Sequence, residues 1–166
     1  MSLSREERQK SFLSLKARSS FHFLSKSLLT GERKMFLIDS SAWIEYLNPN
    51  GSKKVKARVR EILEKDTAVS CGIVIVEILR GAKNEKTFQL LKETLCSLPQ
   101  IQMDKTVIER AAEWGFKLDR KGKNVSTTDL FIAAAAQEKA AVVLHLNSDF
   151  EAIASVVGVK QEKIYI

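Results

Sequence analysis

The stretch Met35-Phe36-Leu37-Ile38-Asp39-Ser40-Ser41 decides how the rest of the chain is read. Four apolar residues without alternation predict a strand buried on both faces, as in a parallel sheet covered by helices. The run stops at a carboxylate and two hydroxyls, which puts Asp39 at the carboxyl end of the strand. In open α/β sheets that edge takes ligands, because loops and helix N-termini converge there on one crevice. Ser40 or Ser41 is placed to cap the helix that follows, and Asp39 suits the same role for the helix carrying Trp43, Ile44 and Leu47. Its own position does not choose between cap and ligand.

Downstream, helical and strand patterns alternate. Ser41 to Leu47 reads as a short helix and Asn48-Pro49-Asn50-Gly51-Ser52 as a turn. Val55, Val59, Ile62 and Leu63 recur at helical spacing, predicting an amphipathic helix from about Lys53 to Lys65. Thr67 to Cys71 is a second strand, and Gly72 to Gly81 a helix whose β-branched residues lower its propensity. Phe88, Leu91, Leu95 and Leu98 mark a helix closed by Pro99, followed by a brief strand at Ile101 to Met103. A strong helix runs from about Lys105 to Arg120 and ends at Lys121-Gly122-Lys123-Asn124. Ser126 or Thr127 then caps the most apolar helix, Asp129 to Lys139, whose alanines allow close approach to neighbours. Ala141 to Leu146 is a buried strand, Phe150 to Val157 a helix and Lys163 to Ile166 a last strand. Alternation of this kind predicts an α/β fold with a central parallel sheet and helices on both faces.

At 166 residues and 45% hydrophobic composition, the chain suits one domain with a substantial core. Its net charge of +7 is uneven: residues 1–34 hold 8 Lys/Arg against 3 acids (+5), leaving 19 against 17 (+2) for residues 35–166. Residues 1–34 therefore read as a basic N-terminal extension, loosely ordered, with Met35 as an alternative start of the natural chain. The other reading of that segment is an amphipathic arm that touches RNA, membrane or a partner. No window approaches 18 consecutive apolar residues, and Lys16, Arg18, His22 and Lys26 interrupt the stretch where a signal peptide would need an apolar core, so neither a membrane span nor a secretory leader is expected. Cys71 and Cys96 have no metal-ligand spacing and are expected as buried thiols of a reducing, cytoplasmic compartment.

Four acids are the candidates for chemistry. Asp39 ends the first strand, Glu77 lies in the helix after the second, Asp129 opens the alanine-rich helix, and Asp149 follows the strand ending at Leu146. Each has a plain structural role open to it. Glu77 stands three residues before Arg80, a helical ion-pair spacing. Asp129 stands three after Ser126, the spacing of a capping box. Asp149 is placed to cap the last helix. Jointly, four acids at one sheet edge are harder to explain in this way, because crowded carboxylates repel and raise one another's pKa unless a cation neutralises them. Hard divalent ions prefer such oxygen ligands and activate water.

Asp39-Ser40-Ser41, the segment Val76-Glu77-Ile78-Leu79-Arg80-Gly81, the helix start Asp129-Leu130-Phe131-Ile132-Ala133-Ala134 and the ending Asn147-Ser148-Asp149-Phe150 together resemble the PIN-domain ribonucleases, most of all the VapC-type toxins of toxin-antitoxin pairs. The resemblance covers residues 35–166 and rests on the order and separation of short motifs. It implies a three-layer α/β/α domain acting as a metal-dependent endoribonuclease, with Asp39, Glu77, Asp129 and Asp149 holding Mg²⁺ or Mn²⁺. It also implies a homodimer neutralised by a small antitoxin protein. Ser40, Ser41 and Asn147 would be auxiliary polar groups. In the segment Leu144-His145-Leu146-Asn147 the chain departs from relatives, which often carry Thr in place of His145 and Asp or Asn at Asn147; His145 then replaces a hydroxyl or serves as a general acid. Arg80, Lys83, Arg120, Lys121 and Lys123 are the basic groups placed to hold an RNA backbone. Two rivals remain: a catalytically inactive PIN-like domain that binds RNA or protein, and a phosphoacceptor receiver domain, which would need a second acid beside Asp39 that Ser40 and Ser41 do not supply.

Overall fold

The computed structural model describes residues 34–166, so all of the N-terminal extension except Lys34 lies outside the described residues. Its strands are β1 (Phe36–Ile38), β2 (Ala68–Cys71), β3 (Gln100–Ile101), β4 (Val142–His145) and β5 (Gln161–Lys163). Its helices are α1 (Ser40–Leu47), α2 (Lys53–Glu64), α3 (Gly72–Arg80), α4 (Glu85–Ser97), α5 (Lys105–Asp119), α6 (Thr127–Glu138) and α7 (Asp149–Val157). The strands form one sheet in the order β3-β2-β1-β4-β5 with every pairing parallel. Every residue of β1, β2 and β4 is buried. These short apolar runs lie in the middle of an α/β/α sandwich, where a strand covered on both faces gains most from continuous apolar sequence.

The strand order locates a crevice before any side chain is considered. From β1 the chain winds outward through β2 and β3, then returns to the other side of β1 for β4 and β5. The β1/β4 pair is the point where winding reverses, and the crevice opens beyond its carboxyl ends. Phe36 is level with Val142 and Ile38 with Leu144, and the Asp39 N–H still donates to the Leu144 carbonyl at 2.9 Å. Pairing thus persists up to the first acid.

Helix α6 packs against both α5 and α7 and against the sheet. Ala133, Ala134, Ala135 and Ala136 are all fully buried, the close approach that their small side chains permit. Gly115 of α5 meets the first turns of α6, where an added Cβ would stand 3.0 Å from Leu130 Cδ1. Near the start of α5, Arg110 Nη1 reaches the Ala134 carbonyl at 3.3 Å and Glu138 Oε2 at 2.9 Å. The two helices are therefore antiparallel, and the end of α5 lies beside the start of α6.

Three expectations need correction. The last strand is Gln161–Lys163, two residues earlier than expected, because each of its residues finds a polar partner on a neighbouring element. Gln161 Oε1 meets His145 Nε2 at 2.7 Å, Glu162 accepts two bonds from Arg58 at 2.6 and 2.9 Å, and Lys163 Nζ meets Glu151 at 2.5 Å. Charged residues at an edge strand carry no apolar signal. Second, Cys71 is a buried thiol as expected, but Cys96 is exposed on the outer face of α4, and both are free. Third, Asp39 itself, not Ser40 or Ser41, caps α1, its carboxylate accepting the Ser41 N–H at 2.9 Å.

Candidate active site

Asp39 is only 1% exposed, yet sits at the mouth of the β1/β4 crevice. Its Oδ2 accepts the Ser41 amide and hydroxyl; its Oδ1 has only a long contact with Ser40 Oγ at 3.5 Å. Cap and site roles are thus compatible, because capping occupies one oxygen and leaves the other nearly free. Ser41 Oγ also accepts the Leu146 N–H at 3.2 Å, so one hydroxyl ties the acid after β1 to the chain leaving β4.

Asp129 lies in the first turn of α6, 8% exposed, with Ser126 Oγ accepting its backbone N–H at 3.0 Å. Burial, opposed by the Ser126 hydrogen bond and reinforced by the neighbouring Asp39 and Asp149 carboxylates, pushes its pKa from 3.8 up to about 7. Asp149 opens α7, where its Oδ2 accepts the Ser126 N–H at 3.3 Å and so holds the α6 start against the α7 start. Asn147 braces the two acids. Its amide nitrogen donates to Asp129 Oδ2 at 3.4 Å, and its amide oxygen accepts the Asp149 N–H at 3.0 Å. Sequence reading took Ser126 only as a cap; its second role, as donor to Asp149, depends on two helix starts meeting and leaves no trace in local spacing.

Glu77 is half-buried on α3. Its Oε2 is buried without a hydrogen-bond partner, and among the described residues no ion pair joins it to Arg80. The Cys71 thiol is pushed up, chiefly by burial and further by the charges of Asp39 and Glu77, against hydrogen bonds from the backbone of Val74 and Ile73. Glu77 and Asp39 thus both lie within electrostatic reach of Cys71, as Asp39 and Asp149 do of Asp129.

Other expected site residues fall elsewhere. His145 is fully buried: Nδ1 bonds the Asn147 carbonyl at 2.8 Å, Nε2 bonds Gln161 at 2.7 Å, and the ring packs against Phe150 at 4.8 Å between centroids. The imidazole joins β4, β5 and α7 beneath the crevice and is not open to it, which removes the general-acid reading. Arg80 and Lys83 are exposed around the last turn of α3, Arg80 about 12 Å along the helix from Gly72. Arg120 and Lys121 are exposed just after α5, and Lys123 Nζ bonds Ser155 of α7 at 2.7 Å, so these three flank the end where Asp129 and Asp149 lie.

The donor set fits a hard divalent cation. It consists of carboxylates and an amide, one carboxylate oxygen is buried without any hydrogen-bond partner, and one acid is held toward its neutral form by burial and, less, by the carboxylates of Asp39 and Asp149. Among the described residues no three His, Cys, Asp or Glu side chains are gathered closely enough to hold a metal ion between them.

Comparison with known proteins follows the same lines. The PIN-domain family profile matches residues 36–156. A protein of Mycobacterium bovis named VapC ribonuclease Mb1587 is 34% identical over 130 residues, covering 76% of this chain and 96% of that protein. Among solved structures, DNA-bound VapBC from Salmonella typhimurium superimposes with a TM-score of 0.65 at 22% identity, covering 79% of this chain and 98% of that one. A toxin-antitoxin complex from Klebsiella pneumoniae gives 0.59 at 21% identity, covering 77% and 98%.

Proposed function

This chain belongs to the PIN-domain family, among its VapC ribonucleases, and on that premise we propose that it is a toxin that cuts RNA at the carboxylate crevice with the help of Mg²⁺ or Mn²⁺. The single observation that carries the metal-dependent reading is the buried, unpartnered Oε2 of Glu77 in the neighbourhood of Asp39. A buried carboxylate oxygen without a donor is costly unless a cation completes it.

Asp39, Glu77, Asp129 and Asp149 would hold the ion. When bound, such an ion lowers the pKa of a water and stabilises charge on the phosphate and the leaving oxygen. The chain's own residues prepare the place for it. Ser41 orients Asp39, and Asn147 keeps Asp129 and Asp149 at a constant separation. Asp129 must lose its proton before it can ligate, so its raised pKa couples metal uptake to pH. Arg120, Lys121 and Lys123 flank this end and supply positive charge for an RNA backbone, contacts that position a strand without reading its sequence.

The same reading includes a protein antitoxin and a homodimer. The structural likeness to toxin-antitoxin complexes supports the first, and exposed Ile44, Val76 and Ile108 offer apolar surface for protein contacts. Among the described residues no helix is long and apolar enough to cross a membrane, in keeping with a cytoplasmic role.

The test is cleavage of an unstructured RNA by the full chain with Mn²⁺, with EDTA, and after Asp39→Asn. Cleavage that needs the metal and disappears in D39N while the fold persists is the expected result. Cleavage indifferent to EDTA overturns the metal reading, and binding without cleavage leaves a PIN domain that only holds its ligand.

A further inference from the structure

Phe116, near the end of α5, is 57% exposed, although a phenylalanine ring is among the side chains that most favour burial. It is not a stray core residue: the buried stripe of α5 runs through Val107, Ala111, Trp114 and Leu118, and Phe116 points away from it. One turn on, the Arg120 guanidinium lies over the ring, 3.9 Å from its centroid. A ring with one face covered by a cation and much of its surface still open offers a flat, partly desolvated stacking platform.

Its place in the fold points to what it stacks. Gly115, the preceding residue, abuts Leu130, which follows Asp129. The end of α5 lies beside the start of α6, so the platform sits on the outward face of α5 at the same end of the domain as Asp129. The surrounding segment is basic: Lys117, Arg120, Lys121 and Lys123 stand against one acid, Asp119. Lys123 is further tied to Ser155 of α7, six residues along the same helix from Asp149.

We infer that Phe116 and Arg120 form a nucleobase-stacking subsite for single-stranded RNA, holding a base of a strand that runs on toward Asp39, Asp129 and Asp149. The inference rests on the ribonuclease reading and adds a contact on the base. Aromatic stacking is tolerant of sequence and favours unpaired strands, whose bases are free to splay out. The Arg120 side chain serves twice, by polarising the ring and by keeping positive charge near the strand.

The experiment reads binding, so it does not depend on cleavage. The full chain in EDTA is titrated into single-stranded RNA oligonucleotides that carry 2-aminopurine at successive positions, a base whose fluorescence is quenched when stacked. Quenching at one position, lost in Phe116→Ala together with about tenfold in affinity and retained in Phe116→Trp, is the expected result. Arg120→Gln should weaken binding and flatten its salt dependence while part of the quenching remains. RNA bound by the wild-type chain with the same quenching and affinity in F116A overturns the platform and leaves the ribonuclease reading intact. No binding of RNA by the wild-type chain overturns the subsite, while the ribonuclease reading stands or falls on cleavage with Mn²⁺. A change of mass in light scattering for F116A, with RNA binding untouched, assigns the ring to a protein interface and also overturns the inference.

Discussion

Ser41 and Leu146 join the two strands that bound the crevice: the Ser41 hydroxyl accepts the Leu146 amide at 3.2 Å while donating to Asp39. The serine on the first turn of α1 thus does more than follow an acid in sequence. It aligns the carboxylate after β1 with the backbone after β4, at the point where the winding of the sheet reverses.

Replacing Ser41 with Ala removes a donor to Asp39 and the acceptor for the Leu146 amide. Leaving such groups unpaired costs about 1–3 kcal/mol, so urea denaturation should show a lower midpoint with an unchanged slope. RNA cleavage should fall further than stability, because Asp39 loses its orientation. A variant as active as the parent would show that the cap bond from the Ser41 backbone is sufficient.

Asp129 makes stability depend on pH in a stated direction. Its folded pKa of about 7 lies above the 3.8 of an ordinary aspartate, so between these values the folded protein binds more protons than the unfolded chain. Its favourable contribution is therefore fully present below 3.8 and is lost as pH rises to about 7, an effect on the order of 4 kcal/mol. Glu61 and Glu151, whose pKa values are lowered by Lys65 and Lys163, act only below the ordinary glutamate range and leave the interval from pH 5 to 7 to Asp129. Metal-free thermal melts should show Tm falling across that interval. Asp129→Asn should flatten the curve and melt higher than the parent at pH 8.

Glu77→Gln tests whether the unpartnered oxygen is kept for a cation. An isosteric amide removes the charge at an oxygen that has no hydrogen-bond partner, so the metal-free melting temperature should stay within a few degrees while Mn²⁺ affinity in calorimetry falls at least tenfold. Unchanged affinity would take Glu77 out of the ligand set.

Arg58 holds β5 to the sheet from α2. It donates twice to Glu162 at 2.6 and 2.9 Å, bonds Glu61 at 2.8 Å, and lies 4.7 Å over the Phe36 ring. A bidentate, partly buried arrangement of this kind is stronger than an isolated surface pair. Arg58→Ala should cost about 2 kcal/mol and raise hydrogen exchange first in Gln161–Lys163. Uniform loss of protection would mean that β5 does not open separately.

His145→Ala should destabilise the fold by about 2–4 kcal/mol, since it leaves the bonds to Asn147 and Gln161 unmade and a gap against Phe150. The pH profile of cleavage in the surviving folded protein should keep its shape. A missing limb would restore His145 to the chemistry.

What the sequence determined by itself was the alternation of elements, the position of Asp39 at a strand end, and the apolar stripes that bury α2, α5 and α6. These follow from local periodicity, which each segment carries within a dozen residues. The four acids were legible as candidates because each stands at a strand end or on a helix that follows one. Tertiary structure alone decided which polar groups serve the crevice. His145 and Asn147 are two residues apart with similar apparent roles, but the imidazole ends β4 inside the fold, bonded to Gln161 and packed on Phe150, while Asn147 lies beyond the strand, between Asp129 and Asp149. Gln161–Lys163 pairs as a strand because Arg58, Glu151 and His145 meet it from elements that are distant in sequence. The pKa of Asp129 likewise depends on burial and on two carboxylates 90 and 20 residues away, and no local pattern records distances of that kind.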